Sequence, residues 1–105
     1  MREELKKLNG KNRTFKATVG IKGSYLGNDN ITHRTVCLEN VYLKDSILLT
    51  DHVWVSKNNN LKGLIKGQKI QFKGYVTYYK KKINNKIEKD YCIRYIKNVK
   101  LIDEV

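Results

Sequence analysis

The stretch Lys69-Ile70-Gln71-Phe72-Lys73-Gly74-Tyr75-Val76-Thr77-Tyr78-Tyr79 decides the fold class. Ile70, Phe72, Gly74, Val76 and Tyr78 alternate with Gln71, Lys73, Tyr75, Thr77 and Tyr79, the two-residue period of a strand with one face buried and one face wet. The same period appears upstream from Thr14, where Phe15, Ala17, Val19 and Ile21 share one face and Thr14, Lys16, Thr18, Gly20 and Lys22 the other. Gly20 and Gly23 permit the bend or bulge by which one strand serves two edges of a small barrel.

The remaining segments fall into place around these two. Gly27-Asn28-Asp29-Asn30 has turn chemistry, since such residues tolerate positive φ or bond their own backbone, and it predicts a second strand over 31–43. A short connection at Lys44-Asp45-Ser46 leads to a third strand over 47–56, with Val53 and Val55 on one face and His52, Trp54 and Ser56 on the other. After the polar break at 57–60, Leu61, Leu64 and Ile65 predict a helical turn that plugs the end of the barrel and closes at Gly67. Residues 80–90 read as a long basic connection. The fifth strand follows over 91–102, Tyr91, Ile93 and Tyr95 alternating with Cys92, Arg94 and Ile96.

Residues 1–10 predict a short N-terminal helix, because Glu3 and Glu4 precede Lys6 and Lys7 and Gly10 lies just beyond. So short a helix is marginal alone, so Leu5 and Leu8 are expected to dock it on the rest of the fold. One domain fills residues 1–105, with the barrel over 13–102. The fold class is all-β. Five strands, a helical turn between the third and fourth, and glycines in the first describe an OB-type Greek-key barrel.

Charge narrows the function. Lys plus Arg number 22 against 10 Asp plus Glu, a net +12 over 105 residues, and such an excess repels itself unless an anion is near. Ten of the basic residues lie between Lys69 and Lys100 against only Glu88 and Asp90. That concentration points to a polyanionic partner rather than to solubility alone. No apolar run of 18 residues and no signal-peptide core is present, so no membrane association is expected and the chain reads as cytoplasmic.

Single strands are held by a cationic groove that tracks the phosphates and by aromatic faces on which bases stack. Lys73, Tyr75 and Tyr79 share the solvent parity of the fourth strand and run into Lys80, Lys81 and Lys82, with Lys86 beyond. Lys16, Lys22, Arg34 and Arg94 are outward by parity. Tyr25 either covers the groove or packs on the helix, Trp54 is either an exposed base platform or a half-buried packing residue, and Tyr75 and Tyr79 either stack on bases or pair across strands.

Catalysis has no visible machinery. Asp51 and His52 are adjacent in a strand, so their side chains are expected to face apart rather than form an acid–base pair. Cys37 and Cys92 lack CxxC spacing and read as small buried hydrophobes, and with His33 and His52 they make no spaced metal-ligand pair, so neither a metal nor a cofactor is expected.

The phrase at 61–76 resembles the entry to the fourth strand of OB-fold proteins. Together with Thr50-Asp51-His52-Val53-Trp54-Val55, it makes the chain resemble small OB-fold single-stranded nucleic-acid-binding proteins of plasmids, phages and cassette-type mobile elements in low-GC Gram-positive bacteria. The likeness covers roughly Arg13 to Ile102. It implies single-stranded DNA binding in replication or transfer of such an element, and the lysine and tyrosine pattern points to a sequence-tolerant mode that would also admit RNA. The other role it implies is that of an accessory subunit docking on a polymerase, primase or helicase. The chain departs from housekeeping single-strand-binding proteins in ending Leu101-Ile102-Asp103-Glu104-Val105, without a long acidic tail.

Overall fold

A computed structural model describes residues 3–44, 47–57 and 59–102. The readings made at Arg2, Asp45, Ser46, Asn58 and 103–105 lie outside the described residues. The elements are α1 (Glu3–Lys6), β1 (Asn12–Leu26), β2 (Thr32–Leu43), β3 (Leu48–Ser56), a 3-10 turn at Asn59–Leu61, β4 (Lys69–Ile83) and β5 (Lys86–Ile102). All strands belong to one antiparallel sheet in the order β3-β2-β1-β4-β5. β3 and β5 are its two edges and therefore run in the same direction. They touch, but among the described residues no ladder joins them.

Alternation produces the core as expected along β1 and β4. Phe15, Ala17 and Val19 meet Ile70, Phe72 and Val76 inside the curled sheet, and the Phe15 and Phe72 ring centroids lie 5.5 Å apart. Val36, Leu38 and Val41 from β2, Val53 and Val55 from β3, and Ile93 and Ile96 from β5 complete it. Leu5 of α1 is fully buried and Leu8 packs beside it, so the helix is docked by the leucines that predicted its docking. The helix itself is shorter than the 1–10 reading. Cys37 and Cys92 are both buried, as small apolar side chains in strands would be.

The helical turn after β3 also differs from expectation. It ends at Leu61, which is fully buried, while Leu64 is only partly buried and Ile65 is 65% exposed. The following segment is held instead by hydrogen bonds to β1, from Gly67 N to Val19 O and from Val19 N to Gln68 O, both 2.8 Å.

Bulges account for the faces that simple alternation misassigns. Gly20 and Ile21 together oppose Cys37, so the side chains beyond change face and Ile21 becomes 53% exposed. Gly20 suits this position because any Cβ there would lie 2.9 Å from the Cys37 carbonyl oxygen. Three further bulges carry a left-handed residue, Asn40 in β2 and Tyr95 and Asn98 in β5, with φ of 49°, 58° and 55°. Asparagine tolerates this conformation, whereas a tyrosine in it is strained.

Residues 80–90 are not a loop. β4 and β5 continue as a two-stranded arm with pairs Lys80↔Lys89, Lys81↔Glu88, Lys82↔Ile87 and Ile83↔Lys86. Asn84 and Asn85 turn it with φ of 50° and 64°, the two positive values that a tight hairpin turn matching strand twist requires. The lysines hide this arm from a hydropathy reading because neither face is buried in the core.

Gly74 lies across the ladder from the Tyr95 bulge. A Cβ at Gly74 would collide with Ile93 Cγ2 and lie 3.7 Å from Phe15 Cε2. Gly74→Ala is therefore expected to destabilise the fold by about 1–3 kcal/mol, read as a lower urea midpoint.

Candidate nucleic-acid interface

Where the edges β3 and β5 come together, the outer surface forms a groove of about 730 Å³. Trp54 projects into it from β3. Because Val53 and Val55 are committed to the core, the residue between them must face outward, and Trp54 is 41% exposed. Its ring lies over Gly23, where a Cβ would stand 3.1 Å from Trp54 Cζ3. The glycine thus supplies a flat floor against one part of the indole.

Tyr25, near the end of β1, forms another wall and is 54% exposed. It stacks on His33 with centroids 5.1 Å apart and planes inclined by 21°. His33 is itself fixed by Asp29, whose Oδ2 lies 3.2 Å from His33 Nε2. The Ile31 amide donates to Asp29 at 3.0 Å, and this bond, aided by His33, holds the Asp29 carboxyl below its ordinary value. The turn therefore orients Tyr25 through a chain of contacts.

β5 supplies Arg94 and Tyr95. The Arg94 side chain hydrogen-bonds that of Cys92, and this contact raises the Arg94 pKa above its already high ordinary value. Arg94 stays cationic at every accessible pH. The bulge throws Tyr95 outward to 72% exposure, with its ring 6.0 Å from that of Tyr75. Simple alternation counted from Tyr91 puts Tyr95 on the core side. No local sequence signal marks a tyrosine as left-handed.

The structure distributes the predicted site residues unevenly. Tyr25, Trp54, Tyr79 and Arg94 line the groove, and Tyr75 stands beside Tyr95 across the ladder from Arg94. Tyr79 is a wall rather than an open platform. It packs against the core, and its hydroxyl donates to Asp90 Oδ2 at 3.2 Å. Lys81 Nζ donates to the same oxygen at 2.9 Å, so its charge is answered within the protein.

The other basic residues lie outside the groove lining. Lys22 and Arg34 are exposed on β1 and β2, but both face away from the groove: the Gly20–Ile21 bulge turns Lys22 from its expected outward parity onto the face of its partner Val36, and Arg34 has the opposite parity to Thr35 in the groove wall. Lys16 and Lys73 occupy the outer face of β1 and β4, where Lys73 is directly across from Lys97. Lys80, Lys82 and Lys86 are carried on the arm. Two like-charged pairs, Lys73↔Lys97 and Lys80↔Lys89, thus face each other across the β4–β5 ladder, an arrangement that is destabilising in the absence of an anion.

Asp51 and His52 depart from the expectation that they face apart. Asp51 Oδ1 lies 3.0 Å from His52 Nδ1, which holds the Asp51 carboxyl below its ordinary value. Both side chains are exposed on an edge strand, so they reach each other past the backbone. Among the described residues, no three His, Cys, Asp or Glu side chains come together as a metal site, and no helix is long and apolar enough to cross a membrane.

Comparison with protein-family models, with curated proteins and with solved structures finds no match to this chain.

Proposed function

We propose that this chain binds single-stranded nucleic acid, DNA or RNA, with little regard to sequence, and that the strand lies in the groove between β3 and β5. The observation that carries the reading is the convergence of Trp54, Tyr25 and Tyr95 around Arg94 in one open groove of a +12 protein. Every base offers a π-face, so rings of this kind accept any sequence, and a guanidinium stacks on a base or pairs with a phosphate. Lys73 and Lys97 lie on the outer face beyond and would accompany the backbone.

The strand order supports an OB-type barrel, since β3-β2-β1-β4-β5 with parallel edges is the arrangement a five-stranded Greek-key barrel has when opened between its third and fifth strands. OB folds bind oligonucleotides on the face of strands two and three, between the loops that join strands one to two and four to five. Here Thr35 and Trp54 occupy that face, and Tyr25 stands beside the β1–β2 turn. The resemblance to mobile-element proteins suggests replication or transfer as the setting.

Fluorescence anisotropy of a labelled single-stranded oligonucleotide at several salt concentrations tests the mechanism. Neutralising about four to six phosphates gives a slope of log affinity against log salt near −3 to −4. Affinity indifferent to salt would remove the phosphate contacts from the account.

A further inference from the structure

The β4–β5 arm has two chemically different faces. Alternation puts Tyr79, Lys81, Ile83, Lys86, Glu88 and Asp90 on the face continuous with the groove, two cations against two anions. The opposite face carries Tyr78, Lys80, Lys82, Ile87, Lys89 and Tyr91, three cations and no anion. On that face Lys80 and Lys89 are directly paired, Lys89 Nζ lies 4.6 Å from the Tyr78 ring centroid, and Ile87 is 72% exposed.

Tyr91 at the base of this face packs against the core, but among the described residues Lys80, Lys82 and Ile87 further out make no side-chain hydrogen bond or ion pair. β1 pairs with β4 only through Tyr75, so the arm beyond Tyr79 has only itself as a ladder partner. Its four outer pairs extend about 13 Å at strand rise. A two-stranded ribbon of this kind fits the major groove of a nucleic-acid duplex, where an exposed apolar side chain can meet a thymine methyl group. Mutually repelling lysines around an apolar tip match a ribbon of phosphates with stacked bases between them, and they do not match an apolar protein surface.

We infer that the lysine face of the arm, Lys80, Lys82 and Lys89 around Ile87, grips a nucleic-acid duplex next to the single strand held in the groove, so that the preferred ligand is a single-strand/duplex junction. This rests on the single-strand reading of the groove. Tyr79 links the two sites, lining the groove at the point where the arm begins.

Anisotropy titrations of the full chain with three probes test it: a single strand, a blunt duplex, and that duplex bearing the same single strand as a tail. The tailed duplex is expected to bind at least about tenfold more tightly than the single strand, with a salt slope steeper by about two to three, one unit for each lysine that meets a duplex phosphate. The combined change Lys80→Ala, Lys82→Ala and Lys89→Ala is expected to remove both differences while leaving single-strand affinity within about twofold. Ile87→Ser should lower affinity for the tailed duplex alone.

Equal binding of the single strand and the tailed duplex by the unaltered protein would overturn the junction inference and leave the groove reading standing. Loss of single-strand and junction binding in equal measure in the folded triple variant would overturn it as well. Binding of blunt and tailed duplexes alike, with none to the single strand, would overturn the groove reading, and the junction inference with it.

Discussion

Trp54→Ala is expected to weaken binding of a single-stranded oligonucleotide by roughly five- to a hundred-fold, the loss of about 1–3 kcal/mol from one base stack. The indole is held on the outer face by the burial of Val53 and Val55 and rests on the Gly23 backbone, so its position is set before any ligand arrives. Truncation removes the platform without opening the core, because the ring lies outside the cluster of buried residues. The salt slope should stay the same, since no phosphate contact is lost. A folded Trp54→Ala protein with unchanged affinity in anisotropy titrations would take the indole out of the site.

Tyr95→Asn is expected to lower affinity by a similar factor while leaving the protein as stable or about 1 kcal/mol more stable. Left-handed backbone costs a tyrosine about 1–2 kcal/mol, and the same conformation is occupied by asparagine in the bulges at Asn40 and Asn98. The contact given up is modest, since Tyr95 is 72% exposed and its ring is tilted by 44° to that of Tyr75. A residue kept for packing would behave in the opposite way, losing stability on substitution with affinity intact. Urea midpoints and oligonucleotide titrations on the same variant separate these outcomes.

The two substitutions also mark where the sequence was readable. Alternation in β4 identifies Ile70, Phe72, Gly74 and Val76 as inward because the bulges opposite it fall on β5 and leave its own alternation unbroken where it crosses the core. The same rule put Trp54 outward, and the short N-terminal leucines identified the docking of α1. The bulge at Gly20 was anticipated as a bend, but its consequence for Ile21 was not, since a single extra residue inverts every face beyond it.

Tyr95 escapes alternation for the same reason. Counting by twos from Tyr91 sends it inward, and only the bulge, invisible in side-chain chemistry, sends it out. The arm over 80–90 is hidden from the sequence because its alternation is between lysine-rich faces with no buried side, and hydropathy reports strands through burial. Its one legible feature was Asn84-Asn85, a weaker form of the turn signal that glycine would have made plain. Tyr78 had the parity of the core yet lies past its end, so parity alone could not predict its exposure.

Charge density pointed to a polyanion, but not to where each lysine would go. Lys81 is answered by Asp90 across nine residues of sequence, a pairing that exists only because the hairpin brings them together. The groove likewise assembles Tyr25, Trp54 and Arg94 from three strands, and their convergence is a property of the curled sheet.

Because Trp54 is the only tryptophan in the chain, its emission reports one wall of the groove. Titration with an unlabelled single-stranded oligonucleotide, followed by emission and by anisotropy of a labelled copy, is predicted to give a saturating change in Trp54 emission at the same midpoint as binding, with both reversed by added salt. Saturated binding with Trp54 emission unchanged would contradict the account, because the strand would then lie elsewhere on the molecule.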